Sequence, residues 1–543
     1  MSTNISKAKR EELLKQVAEI RNKLMERQDE NTNQLLVYLS NIEKDINGKK
    51  YGLVFEEHRE AVDELLENNV PVLVEDENLK IDNGGQQNFL IEGDNLASLK
   101  LLEKTHKGKI DLIYIDPPYN TEHKDFIYDD SFVFKEDGFK HSKWLSFMKK
   151  RIEIAHRLLS SKGVIFISID DHEQAQLKLL CDSIFGQDNF VAQVIWERAY
   201  APVNLKKHFS ESHDYVICFA KNIQKAICNG LPRSSEANDR YSNPDNDIRG
   251  VWKAADSTVG PAVQEKIYEI TLPSGRKVLP SRGRCWLYTK ERFAEMVVDN
   301  RIWFGPNGDS TPSVKKFLSE VKQGVTPMTI WKYTEVGHSQ DATKELKAIF
   351  DGESKFTYPK SIRLIQRICG LYGNKSSIVL DFFAGSGTTG HAVMKLNAED
   401  GGKRKFILCT NNENNICRDV TYERIKRVIE KEDYKASLKY YKVDFVPISE
   451  QVYYEYADKL LLHIKELVEL ENGLDFDGNN KVAICLTDED LQEFTNELTD
   501  TTTCKAVYVG HDVFITPEIE SKLNTLGIKI NIIPDYYYGE LRG

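Results

Sequence analysis

The chain has 543 residues, 41% of them hydrophobic and 29% charged, with a formal net charge of -11. That length exceeds one ordinary core and predicts several units, and the apolar share supplies enough material for globular cores. No apolar run approaches a membrane span or a secretory signal, and the N-terminus is polar and mixed in charge, so no membrane contact and a cytoplasmic location are expected. The nine cysteines are scattered and never spaced CxxC, which points away from a disulfide framework and a structural zinc site; no metal is expected. The negative global charge leaves nucleic acid open as a partner, because counterion release needs only a local basic surface.

In chain order, residues 6–45 are rich in Lys, Glu, Leu, Arg and Gln, with Leu13, Leu14, Val17, Ile20 and Leu24 at helical spacing. They predict a long amphipathic helix or helical pair, its stripe packed on its own domain or serving as a subunit-facing arm. Residues 55–68 predict a short helix. Asn88 to Asn95 reads as a strand ending in a Gly-Asp turn, followed by a helix through Leu96, Leu99, Leu101 and Leu102. The run Leu112-Ile113-Tyr114-Ile115 completes a βαβ unit as a buried parallel strand. It stops at Asp116-Pro117-Pro118-Tyr119, where two prolines can neither continue a ladder nor enter a helix interior. The carboxylate and the ring are therefore held at the strand's carboxyl end, where open α/β sheets place their chemistry.

The polar loop Thr121 to Asp137 carries Phe126, Tyr128, Phe132 and Phe134 and predicts either a packed hairpin or a site cover. A helix over 141–160, a buried strand Val164 to Ile169 ending in Asp170-Asp171, and a helix from Glu173 to Phe185 follow. Phe190 to Trp196 and Asp214 to Ala220 predict a hairpin at one sheet edge. From about 222 to 352 periodicity breaks down. Arg233, Arg240, Arg249, Lys253, Arg276, Lys277, Arg282 and Arg284 lie there among Tyr241, Trp252, Tyr268, Trp286 and Trp303. Basic and aromatic residues together fit a nucleic-acid surface, against the plainer reading of a β-rich insertion with ordinary surface charges. Order returns at Tyr358-Pro359-Lys360 and a helix through Ile362, Leu364, Ile365 and Ile368. A strand from Ser377 to Leu380 then runs into Asp381-Phe382-Phe383-Ala384-Gly385-Ser386-Gly387-Thr388-Thr389-Gly390 and a helix from about His391. Lys405 to Thr410 is a further strand, and from about Val443 a small α/β appendage is expected.

The segment DFFAGSGTTG combines a strand, a Gly-rich turn that admits close backbone approach, and a helix whose amino end favours anions. It lacks the Gly-Lys-Ser/Thr ending of a P-loop, and Asp381 would repel a pyrophosphate. A ligand with an amino group, a carboxylate and ribose hydroxyls fits better, and S-adenosylmethionine has those groups. The DPPY turn supplies what methylation of an exocyclic amine requires. The adenine N6 lone pair is delocalised into the ring, and two acceptors, the Asp116 carboxylate and the Pro117 carbonyl, would draw on its N–H bonds while Tyr119 stacks on the ring. The base must first leave the duplex. A strand-end Asp-Pro-Pro-Tyr taken alone is also compatible with a mere turn.

DPPYN before a strand ending in ISID, then a basic insertion, then YPK and DFFAGSGTTG, resembles the permuted order of β-class DNA adenine-N6 methyltransferases. GDNLASL, the run from DPPYNT through FIYDD, and CTNNENNIC resemble the modification subunits of type III restriction-modification systems. The resemblance spans roughly residues 85–430. It implies an α/β, Rossmann-like, mixed-sheet methyltransferase fold, circularly permuted. The expected division is a helical arm over 1–70, core over 71–221 and 353–440, a target-recognition insertion over 222–352, and a small α/β domain over 441–543. It implies that Asp116, Pro117, Pro118 and Tyr119 are catalytic. It further implies that Asp381, Phe383, Ala384, Gly385, Ser386, Gly387 and Thr388 form the S-adenosyl-L-methionine loop, that Lys360 belongs to the helix closing over it, and that Asp94 touches the cofactor. Where many relatives carry an acidic residue at the end of the next strand, this chain reads Thr410-Asn411-Asn412-Glu413, so Glu413 or an Asn amide is the expected ribose partner. Double-stranded DNA, a homodimer and a restriction (helicase-nuclease) subunit are the expected partners. A stand-alone DNA amino-methyltransferase, a recognition subunit with dispensable catalysis, and an RNA or protein amide methyltransferase are the competing readings.

Overall fold

The computed structural model describes residues 5–27, 32–47, 55–121, 139–202, 207–232, 238–320, 324–448, 463–477, 479–499 and 502–533. The aromatic loop beyond Thr121 and Arg233 lie outside the described residues. Helices α1 (Ile5–Arg27) and α2 (Thr32–Asn47) form a pair pinned by Arg21, which bonds Ser40 at 3.1 Å and Glu43 at 2.7 Å. Val17 and Leu39 are buried, while Leu13, Ile20, Val37 and Ile42 stay exposed. Helix α3 (Ala61–Asn68) is shorter than the 55–68 expected, because Glu60 and Asp63 form a capping box that fixes its start.

The chain then lays down β1 (Asn69–Glu75), β2 (Gln86–Glu92), α4 (Asn95–His106), β3 (Ile110–Ile115), α5 (Lys140–Leu158), β4 (Leu159–Ile169), α6 (Gln174–Phe185), β5 (Phe190–Glu197) and β6 (His213–Ala220). The insertion adds short strands β7 (Trp252–Asp256), β8 (Thr258–Val259), β9 (Ile270–Thr271), β10 (Lys277–Val278), β11 (Cys285–Trp286), β12 (Ile302–Trp303) and β13 (Ser313–Phe317), with helix α7 (Lys290–Val298). After it come β14 (Ile330–Trp331), α8 (Tyr333–Val336), α9 (Ser339–Ile349), α10 (Ile362–Tyr372), β15 (Ile378–Asp381), α11 (Thr388–Asp400), β16 (Lys405–Thr410), α12 (Glu423–Glu432) and β17 (Ala436–Pro447). Helix α13 (Ile464–Asn472) precedes the last unit, β18 (Val482–Cys485), α14 (Asp488–Glu497), β19 (Ala506–Val509), α15 (Pro517–Thr525) and β20 (Lys529–Ile532).

Ten strands form the central sheet in the order β1-β17-β2-β16-β15-β3-β4-β6-β5-β14. From β17 to β4 all neighbours are parallel; β6 runs antiparallel to β4 and β5, and β1 antiparallel to β17. In β3 the period of two divides the apolar run between two cores. Ile113 and Ile115 pack with α4, α5 and α6 residues such as Leu99, Phe147 and Leu177, and Leu112 and Tyr114 with Ile365, Val393 and Ile425 of α10, α11 and α12. Burial on both faces explains the continuous apolar text, and each such side chain contributes about 1.5–3 kcal/mol. The two strands from after the insertion, β15 and β16, slot between β2 and β3, which come from before it.

Three expectations change. The strands β5 and β6 pair antiparallel but leave no edge there, because β14 covers β5 with Ile330 opposite Ile195. The sheet therefore takes back the chain before residue 353, and Trp331 and Val336 join its core. On the other flank, residues 441–447, expected in the C-terminal unit, instead complete the long strand β17, which pairs with β1 and β2. Its Lys439 is buried among Glu75 at 2.9 Å, Glu469 at 2.7 Å and Asp475 at 2.9 Å. The terminal unit has its own parallel sheet, β18-β19-β20, and its own core around Leu491, Val507, Val509 and Leu523. No helix among the described residues is long and apolar enough to cross a membrane.

The insertion also differs from its sequence reading. Trp252 and Trp286 are buried, as core residues rather than exposed stacking rings. Arg249 pairs with Asp247 at 2.8 Å, Arg276 with Asp309 at 2.9 Å, Arg284 with Asp256 at 2.8 Å, and Lys277 with Glu269 at 2.7 Å. Much of the basic character is thus spent internally.

Candidate active site

Strand β3 ends at Ile115, and the next five residues form a braced turn. Trp144 of α5 donates its indole N–H to the Pro118 carbonyl at 2.7 Å. Asn120 takes the left-handed conformation, φ 59°, which Asn tolerates better than most residues, and donates Nδ2 to Glu173 Oε1 at 2.5 Å. Glu173 is fully buried, receives His141 Nδ1 at 2.7 Å, and has its pKa raised by burial. The stiffness foreseen from two prolines is therefore completed by bonds from two helices.

Within this turn Asp116 lies 2.9 Å from the ammonium of Lys360, which also stands 4.9 Å from the Tyr119 ring centroid and 5.8 Å from that of Trp196. Burial and the neighbouring Asp116 charge hold the Tyr119 hydroxyl protonated. Asp214, only 4% exposed at the start of β6, pairs with Arg198 at 2.6 Å. Burial raises its pKa against the opposing pull of Lys360 and Arg198.

Strand β15 pairs with β3 through Val379 opposite Leu112 and Leu380 opposite Ile113, so Asp381 and Asp116 end neighbouring parallel strands. Asp381 is buried; one oxygen accepts from Phe383 N at 3.0 Å and the other from Thr389 Oγ1 at 2.5 Å. Burial pushes its pKa up to about 7, these two donors pull it down, and Asp116 adds to the rise. The loop turns through Gly385 and Gly387, at φ 48° and 73°, into α11. Beneath it the buried Arg424 donates Nη1 to Thr388 Oγ1 at 2.8 Å and to the Ser386 carbonyl at 3.2 Å, with its pKa lowered to about 10 by burial. Phe383 packs against Phe147, and Ala384 N donates to the Cys409 carbonyl at 3.1 Å.

A Cβ on Gly387 would lie 3.3 Å from Thr421 Cγ2, in a backbone conformation that L side chains resist. Gly387→Ala is expected to cost about 1–2 kcal/mol of stability and to weaken ligand binding in the loop, read by thermal unfolding and calorimetry. An unchanged loop affinity would show that the turn does not shape the site.

The other expected residues are placed less directly. Asp94 caps α4, accepting from Leu96 N at 2.7 Å and Ala97 N at 3.4 Å, and lies 3.7 Å from the buried Arg151. Glu413 is exposed in a turn beyond β16, while the neighbouring Asn412 spends its side-chain oxygen on Cys417 N and Arg418 N at 3.1 and 3.3 Å. Lys360 precedes α10 and reaches Asp116. The structure thus brings together Asp116, Tyr119, Lys360 and Asp381, and sets Asp94 at the end of β2 and Glu413 beyond β16. Sequence reasoning did not single out Asp214, Glu173, Arg151 or Arg424. Each is a charged residue whose burial depends on partners distant in the chain, and only the acidic ending of the strand before Glu173 hinted at one of them.

A mostly parallel sheet with one inner antiparallel strand, carrying an acidic Pro-Pro-Tyr turn and a Gly-rich loop on adjacent central strands, is the Rossmann-like methyltransferase architecture. A family model described as DNA methylase matches residues 110–423, more than half of the chain, and the chain belongs to that family. It is 35% identical to the type III restriction-modification enzyme StyLTI Mod subunit of Salmonella typhimurium, over 67% of this chain and 59% of that protein. It is 34% identical to the type II methyltransferase M.KpnI of Klebsiella pneumoniae, over 59% of this chain and 79% of that protein. With the EcoPI Mod subunit of Escherichia phage P1 it shares 33% identity, over 64% of this chain and 62% of that protein. The match thus spans about three fifths of either Mod subunit's length.

Proposed function

We propose that the chain is a site-specific DNA methyltransferase that moves a methyl group from S-adenosyl-L-methionine to N6 of an adenine flipped out of duplex DNA. The observation that carries this reading is the adjacency of two unlike strand ends. Asp116 with Tyr119 offers an acceptor and a ring, and the buried Asp381 opens a loop with helix α11 behind it. The loop fits the cofactor on its own evidence: a buried carboxylate for an ammonium, a positive-φ turn that a side chain would crowd, and a helix amino end for a carboxylate. Asp381, Phe383, Ala384, Gly385, Ser386, Gly387 and Thr388 would hold it, with Asp94 and Glu413 at the flanks. When bound it supplies an electrophilic methyl on a sulfonium.

The chain's own residues handle the base. The Asp116 carboxylate and the Pro117 carbonyl accept the two N6 hydrogens, which localises the nitrogen lone pair; Pro118 stiffens the turn while its carbonyl is engaged by Trp144. Tyr119 stacks on the ring, neutral because its hydroxyl is buried beside Asp116. As the N6–methyl bond forms, the nitrogen becomes cationic and strongly acidic and loses one proton through the Asp116 carboxylate to solvent, so no residue here needs to titrate near neutrality as a general base.

The insertion, expected as the target-recognition unit over 222–352, would present DNA with the charges left over from its internal pairs. Exposed Lys253 and Lys316 stand directly opposite each other on β7 and β13, an unfavourable like-charge pair unless an anion bridges it. Replacing both by Ala is expected to weaken DNA binding uniformly across sequences and to flatten the log-log salt dependence by about 2, whereas Arg276→Ala leaves that slope unchanged. Equal slopes in all three proteins would remove this pair from the interface.

Similarity to two Mod subunits supports a modification and recognition role beside a restriction subunit, and the exposed apolar residues of α1 and α2 support self-association as a homodimer. The larger share covered of M.KpnI favours a second reading, a stand-alone enzyme. The deciding experiment exposes unmethylated bacterial DNA to the chain with labelled S-adenosylmethionine and maps the product by single-molecule sequencing. Methyladenine at one sequence context supports the proposal, and methylcytosine or no label overturns it.

A further inference from the structure

The ammonium of Lys360 occupies the ground that the reaction assigns to the base. It lies 2.9 Å from Asp116 Oδ1, the carboxylate that has to accept N6 hydrogens, and 4.9 Å from the centroid of the Tyr119 ring, on which the base has to stack. It is also close to Trp196, whose indole N–H is tied to the Gly337 carbonyl at 2.9 Å, so this ring keeps a fixed position. The Lys360 side chain is only 11% exposed. A cation between two aromatic rings and a carboxylate is well held there.

It cannot stay there during transfer. As the methyl arrives, positive charge grows on the adenine nitrogen, and an ammonium at Asp116 would oppose it through a poorly screening interior. A second carboxylate stands ready. Asp214 is buried, pairs on one side with Arg198 at 2.6 Å, and already feels the Lys360 charge.

We propose that Lys360 is a place-holder for the target base: its ammonium keeps Asp116 and the faces of Tyr119 and Trp196 occupied until a flipped adenine displaces it toward Asp214. Lys360 is then a positioning residue on the base side of the pocket, not a part of the cofactor loop. The inference rests on the reading of Asp116 to Tyr119 as the base pocket.

The test uses the full chain and a duplex carrying the mapped site, with 2-aminopurine at the target position to report flipping. Lys360→Met keeps the stem and removes the charge. It is expected to shift half-maximal fluorescence to about threefold to tenfold lower protein concentration and to lower the KM for DNA alike, the worth of one cation–ring and ion-pair contact. Lys360→Arg, which grips a carboxylate with two N–H groups, is expected to move both quantities the other way. Weakened binding of S-adenosylmethionine with unchanged flipping would put Lys360 on the cofactor side and overturn the proposal. A fall in kcat at unchanged KM would do the same by making the ammonium part of the transition state. A wild-type chain that methylates nothing would instead overturn the functional reading, before either variant is compared.

Discussion

Asp116→Asn is expected to leave binding of S-adenosylmethionine within about twofold and to lower methyl transfer by about a hundredfold or more, the scale of losing one preorganised polar partner of a reacting group. Asn has nearly the same volume and shape, so the turn braced by Trp144 and Asn120 should persist. What changes is chemistry. The amide presents two N–H donors where the adenine amine also presents donors, and it carries no charge to offset the cation forming on N6. Calorimetry with the methyl donor and single-turnover transfer from labelled donor separate the two quantities. Should the Asn protein fail to bind the donor yet melt normally, Asp116 would belong to the cofactor half.

The second large effect is a pH dependence of donor affinity set by Asp381. Its folded pKa is about 7 against an ordinary 3.8, because burial disfavours the carboxylate. Without ligand the protein therefore holds a proton there that the unfolded chain has lost. The stability carried by that proton is present at low pH and lost as pH rises to about 7, so Asp381→Asn is expected to stabilise the free protein at pH 8. A ligand ammonium needs the ionised form and has to expel the proton below pH 7. Donor affinity should thus rise about tenfold between pH 6 and 8 and level off above, as one proton is released. In Asp381→Asn the rise should vanish along with most of the binding. A flat profile in the unsubstituted protein would mean that Asp381 does not face the ligand ammonium.

Much of the site is legible in the text because its parts are local. DLIYIDPPYN carries its own strand, its own stop and its own carboxylate, and DFFAGSGTTG carries strand, turn and helix start within ten residues. The alternation that divides Leu112 and Tyr114 from Ile113 and Ile115 cannot be read from a run that is apolar throughout, so the two cores become visible only in the fold. Charged residues are where reading fails. Lys439 in the string SLKYY looks like a surface lysine, yet it is buried because three carboxylates from β1, α13 and the turn beyond meet it there. The same holds in the insertion, where Arg249 and Asp247 sit two residues apart and satisfy one another. Composition counts a charge, but only tertiary structure decides whether it faces solvent, a carboxylate or a ligand.

The placement of β15 and β16 between strands from before the insertion has a consequence for how the protein is made. A ribosome releases the Asp116 turn first, then the whole insertion, and only afterwards the Asp381 loop. Until β15 enters beside β3, the Asp116 turn has no Gly-rich loop next to it, so on the proposed function a chain that stops in the insertion is expected to transfer no methyl group. On the proposed function, chemistry on DNA would become possible only after the unit expected to choose the sequence has been synthesised.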